Sequence, residues 1–350
     1  MSIKDRIVGI DAVRGIAILG MFAAHVGSRT TWGWMWLFDG RSAATFAVLV
    51  GVSMTLLDRG HSLAHSRARI ATRAILLIVL GLSLEELQTP VVCILVNTGL
   101  MMLVGMWALR ARARTLIALA VVFTVVGPFV RVWLVDHTTG AISINPSIGL
   151  RPYPSIVEAL WGFYPIVVWM AYVFVGILVG RVALGSPRAL AGLAWRGIVL
   201  AAFGYGGSIL IGGEQRGMLD TPSGWWKSAS PHTYTPFEVT GNMGVTLTLI
   251  AVCCAIALIA RWALIPFAAV GAMALTVYAG HIVAIWWMHN TPVYDPGLAT
   301  LLWFWGVAIV GCVVWRFTLD RGPLERLLHW ASMRVAGAET AGAVHNESGT

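Results

Sequence analysis

Charge is scarce in this chain. Only 11% of its 350 residues are Asp, Glu, Lys or Arg, against about 25% in a typical soluble domain, which excludes an ordinary water-soluble globule. Cysteine is also sparse. Cys93, Cys253, Cys254 and Cys312 all lie inside apolar runs, away from His or acidic ligands, so neither a disulfide framework nor a zinc site is expected and they serve as small apolar fillers. The P-loop, the G-x-S-x-G elbow and the zinc motifs are missing. The Gly-rich "GYGGS" at 204–208 sits within an apolar run and is a poor phosphate cradle. No internal repeat is visible, which disfavours the repeat-built transporter folds.

Apolar residues take the place of charge. They make up 58% of the chain, the mean hydropathy is +0.78, and there are 17 Trp and 38 Gly. Trp collects at membrane interfaces and Gly permits close helix contact. A spanning helix needs about 20 apolar residues, and ten runs approach that length: 7–27, 42–58, 74–90, 91–109, 115–135, 158–180, 197–213, 240–260, 265–288 and 298–319. Outer-membrane barrel strands are about ten residues long, half the length of these runs. The expected fold is all-α, a polytopic integral membrane bundle of about ten transmembrane helices over residues 1–334. The tail 335–350 has small and polar residues without apolar period and is expected to be disordered. "MSIKDR" resembles the start of a signal peptide, but Asp11 and Arg14 fall inside the following run, so residues 7–27 are expected to be a retained helix.

The positions of the cations suggest an orientation. Seventeen Lys and Arg fall in one set of connectors and six in the other, with Arg14 inside a helix. The positive-inside bias makes the first set cytoplasmic. Both termini are then cytoplasmic, in a plasma (inner) membrane. The formal charge of +8 is thus a topology signal, with no nucleic-acid partner expected. The longer connectors 28–41, 136–157 and 214–239 face outward and carry Trp32, Trp34, Trp36, Tyr153, Trp225, Trp226 and His232.

Ionisable residues inside a membrane are costly and default to a functional reading. "GIDAVRGIAILGMFAAHVG" (9–27) holds three. At about 100° per residue, Arg14 and His25 fall within ~20° of each other on a helix, and Asp11 within ~40° of His25. One stripe thus carries Asp11 and Arg14 near the cytoplasm and His25, roughly 16 Å further, near the outer side. The bland reading pairs Asp11 with Arg14 at i, i+3 and leaves His25 at the interface. Glu85, Glu86, Asn97, Tyr164, His281 and His289 are further polar groups in or near the runs, and Asp39 and Arg41 precede the second. Ala43, Ala47 and Gly51 form a small-residue packing stripe. His61 and His65 in the basic "HSLAHSRAR" are spaced i, i+4, but no metal site is expected there.

The Asp11–Arg14–His25 arrangement resembles the first membrane helix of transmembrane acyltransferases: the acyltransferase-3 proteins carry an Asp, an Arg three residues on and a His at the outer end. "D-x-x-R-G-I-A" is shared with the heparan-α-glucosaminide N-acetyltransferase group. "DGRSAATFAVLVGVSM" (39–54), "GFYPIVVWMAYVFVGILVGR" (162–181), "PFEVTGNMG" (236–244), "MALTVYAGHI" (273–282) and "RGPLERLLHW" (321–330) resemble blocks of the bacterial YeiB-like members of that superfamily. The resemblance implies acyl transfer, acetyl being the expected group, from cytoplasmic acyl-CoA (acetyl-CoA as co-substrate, no metal) to a sugar, lipid-linked or other hydroxyl or amine acceptor at the outer face. In the heparan acetyltransferase the catalytic His lies in the loop after the first helix, about eleven residues beyond an Asn. Here His25 takes that Asn's place and Trp36 stands eleven positions on, so the base role falls to His25.

The expected catalytic set is therefore His25, Asp11 and Arg14, with Arg14 contacting the CoA donor and Asp11 holding Arg14. Asp39, Arg41, His281 and Glu85 are candidates for acceptor binding or for orienting His25. The bilayer and acyl-CoA are the expected partners, and a homo-oligomer stays open. Two rival readings stay open too. One is a transporter or flippase of a small or lipid-linked metabolite using the same residues as a proton relay; the other is a non-catalytic membrane partner.

Overall fold

The computed structural model describes residues 7–27, 37–138, 159–160, 162–214 and 223–347. The outer-loop aromatics Trp32, Trp34, Trp36 and Tyr153 lie outside the described residues. Every regular element among those described is helical, and the chain is a polytopic all-α membrane protein.

In chain order the helices are α1 (Val8–Val26), α2 (Arg41–Asp58), α3 (Leu63–Glu85), α4 (Leu95–Gly105), α5 (Ala113–Val125), α6 (Gly127–Thr138) and α7 (Ile166–Val179). Next come α8 (Pro187–Leu210), which passes through a π turn at Ala202–Gly206, and α9 (Pro236–Ile259). The chain ends with α10 (Ile265–Ala272), α11 (Ala274–Trp287), the single turn α12 (Thr291–Tyr294), α13 (Leu298–Leu319) and α14 (Pro323–Glu347). The last takes in much of the segment expected to form the tail.

Each of the ten apolar runs holds helix, but they are not ten equal spans. Among the described residues, five helices (α1, α2, α8, α9, α13) are long and apolar enough to cross a membrane. The total becomes seven if the pair α5 and α6, bent by 43°, and the pair formed by Arg261–Ala272 and α11, bent by 66°, each count as one span. α4 and α7 have 11 and 14 residues, roughly 16 and 21 Å of rise, short of the ~30 Å hydrocarbon core. α3 begins eleven residues before the expected run. Ser62 caps it by accepting from the His65 N–H at 3.2 Å, and Ser66 and Arg69, expected in an exposed connector, are buried.

The bundle is organised around α1 and α2, whose spans are 78% and 72% buried, whereas α13 and α8 are 17% and 22% buried and form the rim. A helix apolar all round belongs in such a centre. Small residues bring the central backbones together. A Cβ on Gly271 would sit 1.8 Å from the Asp11 carbonyl oxygen, and one on Gly15 2.0 Å from that of Phe267, so α1 and α10 touch backbone to backbone. The Ala43–Ala47–Gly51 stripe does the same for α2 and α7: its glycine packs on Gly176, where a Cβ would meet the Val48 carbonyl at 2.0 Å. In a membrane, where lipid tails are as apolar as Leu, such close packing is what holds helices together.

Candidate functional site

α1 carries its three ionisable residues to two places. Near its start, Arg14 donates to Asp11 Oδ1 at 2.9 Å, to the Gly271 carbonyl at 3.3 Å and to Ser53 Oγ at 3.1 Å. The i, i+3 pair expected from the sequence is present, and α2 and α10 complete its surroundings. Asp11 Oδ2 is buried with no hydrogen-bond partner. Further cations gather on this side. Arg73 feels the charges of Arg69, Arg321 and Arg14, and its Nε donates to Ser332 Oγ at 3.3 Å. Buried Arg69 lies 3.4 Å from His61 Nε2, and its own Nε has no partner. Burial, together with Arg321 and Arg73, holds the His329 imidazole of α14 below its ordinary pKa. His61 and His65 stack on one another at 4.8 Å between ring centroids. Among the described residues no three His, Cys, Asp or Glu side chains converge as a metal site requires.

At the other end of α1, His25 meets His281 of α11. His25 Nδ1 and His281 Nε2 are 3.1 Å apart, with the rings within 6° of parallel. His281 is buried, stacked on Phe22 at 4.7 Å, and its Nδ1 donates to the Tyr278 carbonyl. A carbonyl only accepts, so the His281 proton sits on Nδ1 and its Nε2 is the acceptor. His25 must then donate from Nδ1, which leaves the lone pair of its neutral ring on Nε2. An imidazole with its base nitrogen selected in this way is suited to proton abstraction near pH 7.

His25 forms part of the wall of a cavity of about 460 Å³, together with Phe38, Ser42, Phe163, Tyr164 and His232. His232 sits opposite in the chain, in the turn before α9, and its Nε2 lies 3.2 Å from Asp39 Oδ1. That turn is built on a buried carboxylate. Glu238 accepts from the backbone N–H of His232 (2.8 Å) and Tyr234 (2.6 Å), from Asn242 Nδ2 (3.3 Å) and from the Thr233 hydroxyl (3.3 Å). Locally this is a T-x-x-E helix start with Pro at the first helical position, in which the Thr half of a capping box is formed. Thr235 Oγ1 accepts from the Glu238 N–H at 3.1 Å, while the Glu side chain turns back on the incoming loop. Tyr164, His232 and Tyr234 all have positive φ, at 59°, 63° and 56°, a strain of about 1–3 kcal/mol each that clusters at functional sites. Asn97 holds the opposite rim, donating to the carbonyls of Phe163 and Tyr164 at 3.3 and 3.0 Å.

The remaining expected site residues are distributed unevenly. Asp39 reaches the cavity through His232, and His281 stands behind His25. Arg41 is buried with its guanidinium over the Tyr205 ring at 4.6 Å, and Tyr205 in turn donates to Asn242 Oδ1 at 2.6 Å. Glu85, at the end of α3, is placed near Cys93, which feels its charge; it does not join the cavity-lining residues. Glu238 and Asn242 were not singled out in the sequence, although "TPFE" is a legible capping signal. Between Arg14 and His25 the α1 face is packed, with Ile18 and Phe22 buried.

The model of the family described as heparan-alpha-glucosaminide N-acetyltransferase, catalytic, matches residues 6–204, more than half of the chain. The chain belongs to that family. It is a membrane protein of an acetyltransferase family, and the match runs from α1 into the π turn of α8. His232, Glu238 and His281 lie beyond the matched residues, so the partners that surround His25 come partly from the C-terminal third. No curated protein matches the chain.

Proposed function

We propose that this protein transfers an acetyl group from acyl-CoA, bound at the Arg14 end of α1, to a hydroxyl or amine acceptor held in the His25 cavity. The observation that carries this reading is the His25–His281–Tyr278 relay, because it selects Nε2 of a cavity-wall histidine as the base. His25 Nε2 takes the acceptor's O–H or N–H proton as that atom attacks the thioester carbonyl. The C–S bond then breaks, and the proton passes to the departing thiolate, giving free CoA. A positioned base of this kind contributes about 10²–10⁴-fold.

Arg14, with Arg69, Arg73 and Arg321 nearby, supplies the positive charge that the donor's phosphates require, and Asp11 holds Arg14 in place. By the cation distribution this end is cytoplasmic and the cavity faces outward. Transfer then runs from the inside to the outer face of the plasma membrane, and the packed Ile18 and Phe22 must move aside for the thioester to reach His25. Phe163, Tyr164 and Phe38 offer aromatic faces on which a sugar acceptor stacks.

The two ends separate kinetically. With labelled acetyl-CoA and purified protein, Arg14→Gln is expected to raise the donor KM about tenfold, the loss of one charge-assisted contact. His25→Ala is expected to lower turnover with the donor KM little changed. Equal effects of both variants on KM, or acetyl-CoA left intact by wild type with sugar and amine acceptors present, would refute the assignment.

A further inference from the structure

A second cavity, of about 420 Å³, opens at the basic end of the bundle and belongs to neither the histidine site nor the Arg14 cluster. It lies where the start of α1, the end of α2, the segment after α7 and the end of α9 meet. Ile7, Val8, Leu184 and Leu258 give it apolar walls, and among the described residues Arg59 and Arg261 are its only charged lining residues. Five helical steps separate Gly9, in this wall, from Arg14. That is about 140° around α1, so the cavity opens on a different face of the helix from Arg14.

Three features define what fits there. The Arg59 guanidinium is oriented by donating to the Gly180 carbonyl at the end of α7, at 2.6 Å, and both arginines are exposed at the mouth. No carboxylate among the described residues lines the cavity, and the one next to Arg59 in the chain, Asp58, is engaged by Arg110 at 2.8 Å. Beside the mouth, Leu258 is 50% and Ile259 86% exposed, and Trp262 is 75% exposed. An apolar strip thus runs from the cavity onto the lipid-facing surface, with an aromatic at headgroup level.

We propose that this cavity binds an anionic phospholipid, its phosphate between Arg59 and Arg261 and its acyl chains along Leu258 and Ile259. A free phosphate satisfies the arginines but leaves the apolar walls empty. A zwitterionic lipid fills the walls but brings its own cation to the arginines. The combination selects an anionic headgroup on a hydrocarbon tail, as basic pockets between membrane helices do.

The test is native mass spectrometry of the full-length protein released from nanodiscs of phosphatidylcholine doped with phosphatidylglycerol. Wild type is expected to retain one phosphatidylglycerol in preference to phosphatidylcholine. Arg59→Gln with Arg261→Gln is expected to weaken that retention about thirtyfold, from the contribution of two interfacial cations. Arg261→Gln alone, at an exposed position, is expected to weaken it several-fold. Gly185→Leu provides a variant with both charges intact: it adds bulk at a cavity-lining position where a Cβ meets nothing within 4 Å, and is expected to weaken retention of the lipid. Retention of phosphatidylglycerol at the wild-type level in both the double variant and Gly185→Leu would overturn the proposal. So would displacement of the lipid by acetyl-CoA, which would assign the cavity to the donor, or displacement by inorganic phosphate alone, which would make it a simple anion site.

Discussion

Replacing His281 by phenylalanine removes one interaction from His25 while preserving the shape around it. The phenyl ring keeps the stacking on Phe22, 4.7 Å away in the native pair, but offers no acceptor to His25 Nδ1, 3.1 Å away. His25 then loses the bond that selects its tautomer and fixes its ring. A net hydrogen bond contributes about 0.5–1.5 kcal/mol, so the population of the productive ring falls by roughly 2- to 12-fold. Acetyl transfer from labelled acetyl-CoA by the purified protein is expected to fall by that factor in kcat, with the donor KM unchanged because Arg14 is untouched. His281→Gln is the control. Its amide can donate to the Tyr278 carbonyl and accept from His25 as the imidazole does, so it is expected to restore most of the lost rate. If His281→Phe turns over like wild type, or if Gln and Phe are equally impaired at equal thermal stability, the relay has no part in the chemistry.

Further expectations follow from other contacts. Gly271→Leu forces apart backbones that touch, since even a Cβ would lie 1.8 Å from the Asp11 carbonyl. Overpacking of this kind costs about 1–3 kcal/mol, read as a lowered unfolding temperature in detergent. Glu238→Gln replaces two acceptor oxygens by one and turns an –NH2 toward the loop N–H donors. With a buried donor left unsatisfied, a loss of about 1–3 kcal/mol is expected, along with faster proteolysis of the turn at residues 228–235. His329 has a folded pKa below its ordinary value of 6.5, so the unfolded chain takes up the proton first. Stability from this group is therefore lost as pH falls through about 6.5. The protection factors of α14 amides, which correct for the slower intrinsic exchange at lower pH, are expected to fall between pH 7.5 and 5.5, and His329→Gln to flatten that dependence.

What could be read in one dimension was the face of α1. Helical phase alone puts Asp11, Arg14 and His25 on one face, and the Asp11–Arg14 pair and the small-residue stripe at Ala43, Ala47 and Gly51 follow from spacings of three and four. What lay beyond reach was depth and bend. His281 meets His25 because the chain bends by 66° at Met273 between α10 and α11, within an apolar run that reads as one continuous segment. The boundary of α3 was misplaced because its first turns are basic: hydropathy marks where a helix enters lipid, whereas Ser62 marks where it begins. Two of the four donors to Glu238 are backbone N–H groups of a turn with two left-handed residues, which no side-chain pattern announces. The burial of Arg41 over Tyr205 is a tertiary contact between α2 and α8, far apart in sequence, and no local spacing signals it.

The central claim is that a lone pair on His25 Nε2 starts the transfer. Single-turnover release of CoA thiol from acetyl-CoA, with acceptor present, compares wild type with His25→Ala most directly. The account predicts a rate at least about 10²-fold lower in the variant, with donor binding retained. Equal rates in the two proteins would contradict it.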